Sequence, residues 1–378
     1  MRETKTCLAG LVLCLSVAHL TGCTSLIAKR IVEPPRPSHD VTLVSDDNLQ
    51  RVNSAYAYAR NTMLPTDNGE TVAVTVLAPT RFDWTLDVED VGDGVKVFHR
   101  LVWNPSSDNP PLDFSERLAG SKGTVVLLHG YRMERSLSMP WGALFADAGL
   151  TAVLVDLPGH GQSPRRQVTF GALEASYVNA LADSLKRQGY PAPYVLFGIS
   201  LGATTALRSA AARDDQWDAV LAFEPFEDVA EVIDNVASDV SWPLRWLMTT
   251  RKRAAVVEAI TALTGVSSSD MRVVPALTHY RTPTLVLHSQ QDDWIPYAQV
   301  QRIAATSAHI ALWLYPNGGD HLSFPTPFWR YCAPIFSWLE QTLYDQQPIS
   351  TASCARLVQA LSDQGIEWQP SERIIFDQ

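Results

Sequence analysis

The chain has no excess of basic charge and no apolar stretch long enough to cross a bilayer. Against 40 Asp and Glu stand only 30 Lys and Arg, for a net charge of −10 and a pI near 5.4. A surface of that sign repels phosphate backbones and gives no general attraction to anionic lipid, so no nucleic-acid partner is expected. Cysteine is scarce, at 5 in 378 residues, and no Cys/His spacing matches a metal site. No cofactor is called for. Internal repeats and low-complexity segments are missing. The most apolar stretch, Cys7 to Leu20, falls short of the roughly 20 residues a spanning helix needs. Preceded by Arg2 and Lys5, it reads instead as the core of a signal peptide.

What is present is enough apolar residue, 46%, to fill one large core. Short apolar runs recur between helical-period segments: Thr124 to Leu128, Thr151 to Val155, Tyr194 to Phe197, Ala219 to Phe223, Thr284 to His288 and Ala311 to Tyr315. Apolar throughout, they read as buried parallel strands joined by helices. Earlier, Val72 to Val76 and Val95 to Phe98 alternate and read as leading antiparallel strands. The third buried run leads into Gly198-Ile199-Ser200-Leu201-Gly202 and then an alanine-rich helical pattern. Strand, G-x-S-x-G and helix is the context of a nucleophile elbow, a turn too tight for side chains on the flanking positions. With Gly near 7% of residues, the bare pattern recurs by chance in roughly one chain in ten, so its context carries the argument.

The other runs end in residues that complete the pattern: His129-Gly130-Tyr131, Asp156-Leu157-Pro158-Gly159-His160-Gly161-Gln162-Ser163, Asp292 followed by Ile295-Pro296, and Gly318-Gly319-Asp320-His321. In these segments and their order, over roughly residues 70 to 345, the chain resembles the α/β-hydrolase superfamily, in particular its lysophospholipase-like and serine-aminopeptidase-like members. The resemblance implies a mostly parallel central sheet flanked by helices, with a helical cap inserted after the sixth strand.

A Ser hydroxyl needs a base to take its proton, and the base needs an acid to fix its tautomer. Chain order Ser, acid, His is what this fold supplies, and Ser200, Asp292 and His321 fit it. Of the other histidines, His129 reads as a turn residue, His160 as a backbone partner between glycines, and His288 as a satisfied polar group. The acid has rivals in the adjacent Asp293 and in Glu224, which ends the strand Ala219 to Phe223; Asp320 reads as a loop cap. By resemblance, the oxyanion donors are the backbone N–H groups of Tyr131 and Leu201.

The signal segment closes on Leu20-Thr21-Gly22-Cys23, which resembles the lipobox of bacterial lipoproteins. That implies cleavage before Cys23, acylation of it and a palmitate-type anchor. Thr24 in place of Asp implies the outer membrane, facing the periplasm. Removing Cys7 and Cys14 and lipidating Cys23 leaves Cys332 and Cys354, which an oxidising compartment would join as a disulfide. The expected organisation is 1–22 signal peptide, 23–69 anchor and tether (with Pro34-Pro35-Arg36-Pro37), 70–225 first core segment, 226–281 cap, 282–345 second core segment and 346–378 tail. A tether implies that a chain beginning near Val41 should keep its activity. In the cap, Trp242 and Trp246 share a helical face beside Arg245, Arg251, Lys252 and Arg253. This reads as cap packing with a solvated basic face, or else as an acyl pocket near lipid phosphates. The expected activity is serine ester hydrolysis; peptidase, acyltransferase and non-catalytic binding roles are its alternatives.

Overall fold

Alternate residues of the buried strands divide between two hydrophobic clusters, and that division defines the architecture. Val126, Leu128, Val153 and Val155 belong to one cluster; Val125, Leu127, Ala152 and Leu154 belong to the other. With a side-chain period of two, one sheet therefore separates two cores. The computed structural model describes residues 24–34, 58–66, 69–90, 97–164, 166–239, 249–325, 327–344, 352–363 and 375–377.

The strands are β1 (Ala59–Pro65), β2 (Thr71–Leu77), β3 (Phe82–Asp90), β4 (Val97–Pro105), β5 (Thr124–Leu128), β6 (Thr151–Val155), β7 (Tyr194–Ile199), β8 (Ala219–Phe223), β9 (Thr284–Ser289), β10 (Ile310–Tyr315) and β11 (Ile375–Asp377). Nine of them form one sheet in the order β1-β2-β6-β5-β7-β8-β9-β10-β11, while β3 and β4 form a separate hairpin. The six strands from β6 to β10 in that order pair in parallel; β1, β2 and β11 add antiparallel edges.

The first described helix, α1, covers residues 24–32. It is followed by α2 (Phe114–Ala119), α3 (Met139–Asp147), α4 (Glu174–Arg187), α5 (Leu201–Ala212), α6 (Val229–Asp239), α7 (Thr250–Thr264), α8 (Tyr297–Ala304), α9 (Trp329–Leu343) and α10 (Ala352–Ser362). Helix α5 lies close on the sheet because its inner face is Gly and Ala: a Cβ at Gly202 would strike the Leu128 carbonyl. The opposite core is aromatic, with Trp141, Phe145, Phe197, Phe223, Phe324 and Tyr331 in mutual contact. The insertion after β8 is helical in α6 and α7; residues 240–248, with Trp242, Arg245 and Trp246, lie outside the described residues.

Three expectations change. Residues after Cys23 are not a spacer at first: α1 buries Ala28 and Val32 in the core cluster. Cys332 and Cys354 are free thiols rather than a disulfide. Both are buried in one core cluster, so the tail is held to α9 by packing, and burial pushes the Cys354 thiol up. Finally, the segment read as a tail is part of the fold. Helix α10 buries Cys354 and Leu357, Arg356 bonds the buried Asp147 at 2.6 and 2.7 Å, and β11 extends the sheet.

Candidate active site

The turn between β7 and α5 holds Ser200 at φ 52°, ψ −111°, a left-handed φ that a residue with a Cβ rarely adopts. Such a position costs on the order of 1–3 kcal/mol and persists only where its surroundings enforce it. Here the Ser200 N–H donates to the Phe223 carbonyl at 2.8 Å. A Cβ at Gly198 would collide with the Gly202 backbone, and Gly202 has no room for one either. Both glycines of the motif are therefore steric requirements of the turn.

His321 reaches this turn from the loop after β10. Its Nε2 lies 3.0 Å from Ser200 Oγ and its Nδ1 2.7 Å from Asp292 Oδ2. Asp292 is buried and fixed, its Oδ1 accepting the N–H groups of Trp294 (2.9 Å) and Ile295 (2.8 Å), whereas Asp293 is exposed. With Nδ1–H donating to the carboxylate, Nε2 is left to accept the Ser200 hydroxyl proton. The loop itself is tied to the acid turn: Ser289 Oγ donates to the Gly319 carbonyl at 2.5 Å, and the Gly319 N–H donates to Gln291 Oε1 at 3.0 Å. Asp320 accepts the N–H groups of Leu322 and Ser323 and so caps its own loop, which holds its carboxyl below the usual range. The Trp294 ring lies over the imidazole with centroids 5.3 Å apart.

A second carboxyl sits behind the first. Glu224, fully buried and at φ 50°, places Oε2 3.4 Å from His321 Nδ1. Burial, with Asp292 alongside, holds its carboxyl well above the usual range, which favours the neutral acid. His288 is buried beside it and lowered to about 4 by desolvation. Glu224, His288 and Asp292 bring possible ligand atoms within 4.8 Å of one another. Asp292 is already committed to His321 and two backbone N–H groups, so this is not an open carboxylate set for a cation.

The loop after β5 faces the nucleophile turn and is braced by two neutral histidines. His129 Nε2 accepts the Leu157 N–H at 3.1 Å while its Nδ1 contacts the Gly130 carbonyl at 2.7 Å. His160 Nε2 accepts the Arg132 N–H at 3.2 Å. Burial lowers these rings to about 4 and about 3, so neither is a base near neutral pH. Further bracing comes from Arg135, whose guanidinium pairs with the buried Asp156 and whose N–H donates to Asp156 Oδ1 at 2.8 Å. Arg135 also bonds Thr75 Oγ1 (3.0 Å) and Gln162 Oε1 (2.9 Å). Among the described residues, the N–H groups of Tyr131 and Leu201 donate to no backbone acceptor outside helices and strands.

Comparison with known proteins agrees with this geometry at the level of fold. An esterase of Pyrococcus furiosus, Pf2001, superposes with a TM-score of 0.56 at 15% identity, over 83% of this chain and 98% of that one. A 2,6-dihydroxy-pseudo-oxynicotine hydrolase superposes with a TM-score of 0.50 at 18% identity, over 77% of this chain and 70% of that one. The chain has the α/β-hydrolase fold. The family model for Hydrolase_4, described as serine aminopeptidase S33, matches residues 119–270 of it. That span holds Ser200 and stops before Asp292 and His321. In sequence the chain is similar to YqkD, an uncharacterized protein of Bacillus subtilis (strain 168), at 26% identity over 209 residues. The match takes in 53% of this chain and 66% of that protein.

Within this α/β-hydrolase frame, several side chains were not singled out from the sequence. Arg135 and Trp294 are two of them. Asp156 at a strand end, with no basic partner nearby in sequence, was a signal for the first; an aromatic between Asp292 and Ile295 was one for the second. Cys23 lies outside the described residues, and of the cap cations Arg253 pairs with Asp234 on α6.

Proposed function

We infer that the protein is a serine hydrolase that cleaves carboxylic esters through an acyl-enzyme. The observation that carries this reading is the chain of hydrogen bonds from Ser200 Oγ through His321 to Asp292, at 3.0 and 2.7 Å, set on a strained turn. His321 Nε2 takes the hydroxyl proton as Ser200 Oγ bonds to the ester carbonyl carbon. Negative charge collects on the carbonyl oxygen, where the Tyr131 and Leu201 N–H groups serve as donors, each contributing roughly 10²–10³ in rate. Asp292 stabilises the imidazolium, which then protonates the leaving alkoxide as the C–O bond breaks. Water, deprotonated by His321, attacks the acyl-serine and returns the hydroxyl.

Ester cleavage is favoured by the Pyrococcus esterase among the structural neighbours, and peptide cleavage by the description of the family model. Acyl transfer would use the same three side chains with another acceptor in place of water. A panel of p-nitrophenyl esters of increasing chain length, run beside aminoacyl amides, separates these readings. Ester turnover that exceeds amide turnover by orders of magnitude supports the first; the reverse ranking makes the protein an aminopeptidase.

The same reading includes an envelope location. Arg2, Lys5, the short apolar run and Leu20-Thr21-Gly22-Cys23 support acylation at Cys23 and retention at the outer membrane, facing the periplasm. Cys23→Ser is expected to abolish lipid labelling and to leave the membrane fraction.

A further inference from the structure

The end of β8 holds a buried carboxyl that no hydrogen bond explains. Glu224 stands at φ 50°, in the left-handed region, and its side chain is fully buried. Neither of its carboxyl oxygens has a hydrogen-bond partner among the described residues. A left-handed residue with a Cβ and a buried polar group without partners are both unfavourable. An apolar side chain would fill the same space without the second cost, so packing alone does not account for a carboxyl here. Backbone bonds hold it in place from both sides. The residue before it, Phe223, accepts the Ser200 N–H at 2.8 Å, and the Glu224 N–H donates to the Leu287 carbonyl at 2.9 Å. Two residues on, the Phe226 N–H donates to Thr204 Oγ1 at 3.0 Å. The strained residue is thus built into the nucleophile turn, where such outliers tend to be functional.

The neighbours of Glu224 are those of the His321 imidazole. Its Oε2 lies 3.4 Å from Nδ1, the atom that Asp292 Oδ2 contacts at 2.7 Å. Possible ligand atoms of Glu224, His288 and Asp292 lie within 4.8 Å of one another. Two carboxyls this close in a buried site repel when both are ionised, so one charge is held between them. Asp292 carries it, because its Oδ1 accepts two backbone N–H groups and its Oδ2 the ring N–H. Glu224, with no donor of its own, keeps its proton. The other titratable groups facing it leave that balance unchanged. His288 is buried, lowered to about 4 and neutral, with neither ring nitrogen partnered among the described residues. Asp320, on the His321 loop, adds only more negative charge.

We propose that Glu224 is the reserve acid of this site: it stays neutral while Asp292 is charged, and loss of the Asp292 carboxylate makes it ionise and accept the Nδ1–H of His321. This rests on the reading of Ser200 as the nucleophile and of His321 as its base. The exchange moves one proton, from the Glu224 carboxyl to solvent, and breaks no other bond. Removing one carboxylate also removes the repulsion that kept the other protonated, so the change that creates the need also supplies the charge. In this role Glu224 acts through the imidazole, as a positioning residue that fixes its tautomer.

The test is a double-mutant cycle on the full chain, comparing wild type, Glu224→Gln, Asp292→Ala and Asp292→Ala with Glu224→Gln. It is read as the rate of fluorophosphonate labelling at Ser200 and as kcat/KM on p-nitrophenyl butyrate, from about pH 5 to 9. In the Asp292→Ala background, Glu224→Gln should cost a further tenfold or more, a part of the roughly 10⁴ that an acid contributes through this histidine. That factor should grow with pH as Glu224 gives up its proton. In the wild-type background the same substitution should cost far less, so the two effects do not add. Equal costs in both backgrounds, or no cost in Asp292→Ala at any pH, would overturn the proposal. A loss in Glu224→Gln alone as large as that in Asp292→Ala would overturn it too, by making Glu224 the first acid. Asp292→Asn with and without Glu224→Gln repeats the comparison in a turn whose Oδ1 can still accept the Trp294 and Ile295 N–H groups, so a poorly folded Asp292→Ala does not leave the question open. Failure of the underlying reading looks different: turnover by Ser200→Ala, or a wild-type protein that takes no label.

Discussion

Asp292 and Asp293 are neighbours in the chain, yet one is buried against His321 and the other faces solvent. Asp292→Asn should therefore reduce kcat by on the order of 10⁴, as an amide holds the wrong imidazole tautomer. Asp293→Asn should stay near wild type in the same steady-state assay, and a reversed ranking would mean that the acid turn has been misread by one residue. Glu224 calls for a different experiment. Its folded pKa is raised, so its contribution to stability is present below the unfolded value and declines as pH rises toward the folded one. Glu224→Gln lacks that decline. Its melting temperature relative to wild type should become more favourable from pH 4.5 upward, with a far smaller loss of kcat than Asp292→Asn. A large loss of kcat with no pH trend in stability would make Glu224 the acid that orients His321. Glycine spacing and the Ile295-Pro296 turn made Ser200 and Asp292 legible as candidates, because both signals are local. Glu224 was visible only as a rival, and Arg135 and Trp294 not at all: their partners are brought together by strand order, which no short window of sequence contains.

At the scale of elements the least legible was α1. Nine helical residues before Pro34-Pro35 resemble a tether until the core that accepts Ala28 and Val32 is in view. Docking, not propensity, forms this helix. A chain beginning near Val41 should therefore melt lower than one beginning at Thr24, having lost the burial of Val32, at about 1.5–3 kcal/mol for a fully buried aliphatic side chain, and the partial burial of Ile31. Its kcat on soluble esters should fall as well, because Tyr131 loses the Ile31 carbonyl that holds it. Matched calorimetry and kinetics on the two chains decide this; identical melting temperatures would mean that α1 is not docked in solution. The strands were far more legible. Runs such as Thr124–Leu128, buried at every position, are apolar because helices cover both faces of a parallel sheet. The alternation at residues 95–98 marked a strand of the local β3–β4 hairpin, whereas the folding of residues 352–363 and 375–377 onto the rest depends on distant partners and left little local trace.

The whole molecule carries buried histidines as a common acid sensitivity. His129, His160 and His288 are lowered to about 4, 3 and 4, chiefly by desolvation. Between those values and the ordinary 6.5 the unfolded chain binds more protons than the folded one, so stability rises with pH across that window. Glu224 acts in the opposite sense, but one carboxyl is set against three imidazoles. Denaturant midpoints should fall steadily from pH 6.5 toward 4, and a flat profile would show that these rings are accessible or charged in the folded state. On the proposed function, the fold, the strained turn and the two hydrogen bonds through His321 make Ser200 a nucleophile. The most direct measurement is labelling of the folded protein with a fluorophosphonate, followed by peptide mass spectrometry. A single phosphonylated site is expected at Ser200, with labelling abolished in Ser200→Ala and strongly slowed in His321→Ala. Labelling that persists at the wild-type level in folded Ser200→Ala, or no labelling of the wild-type protein, would contradict it.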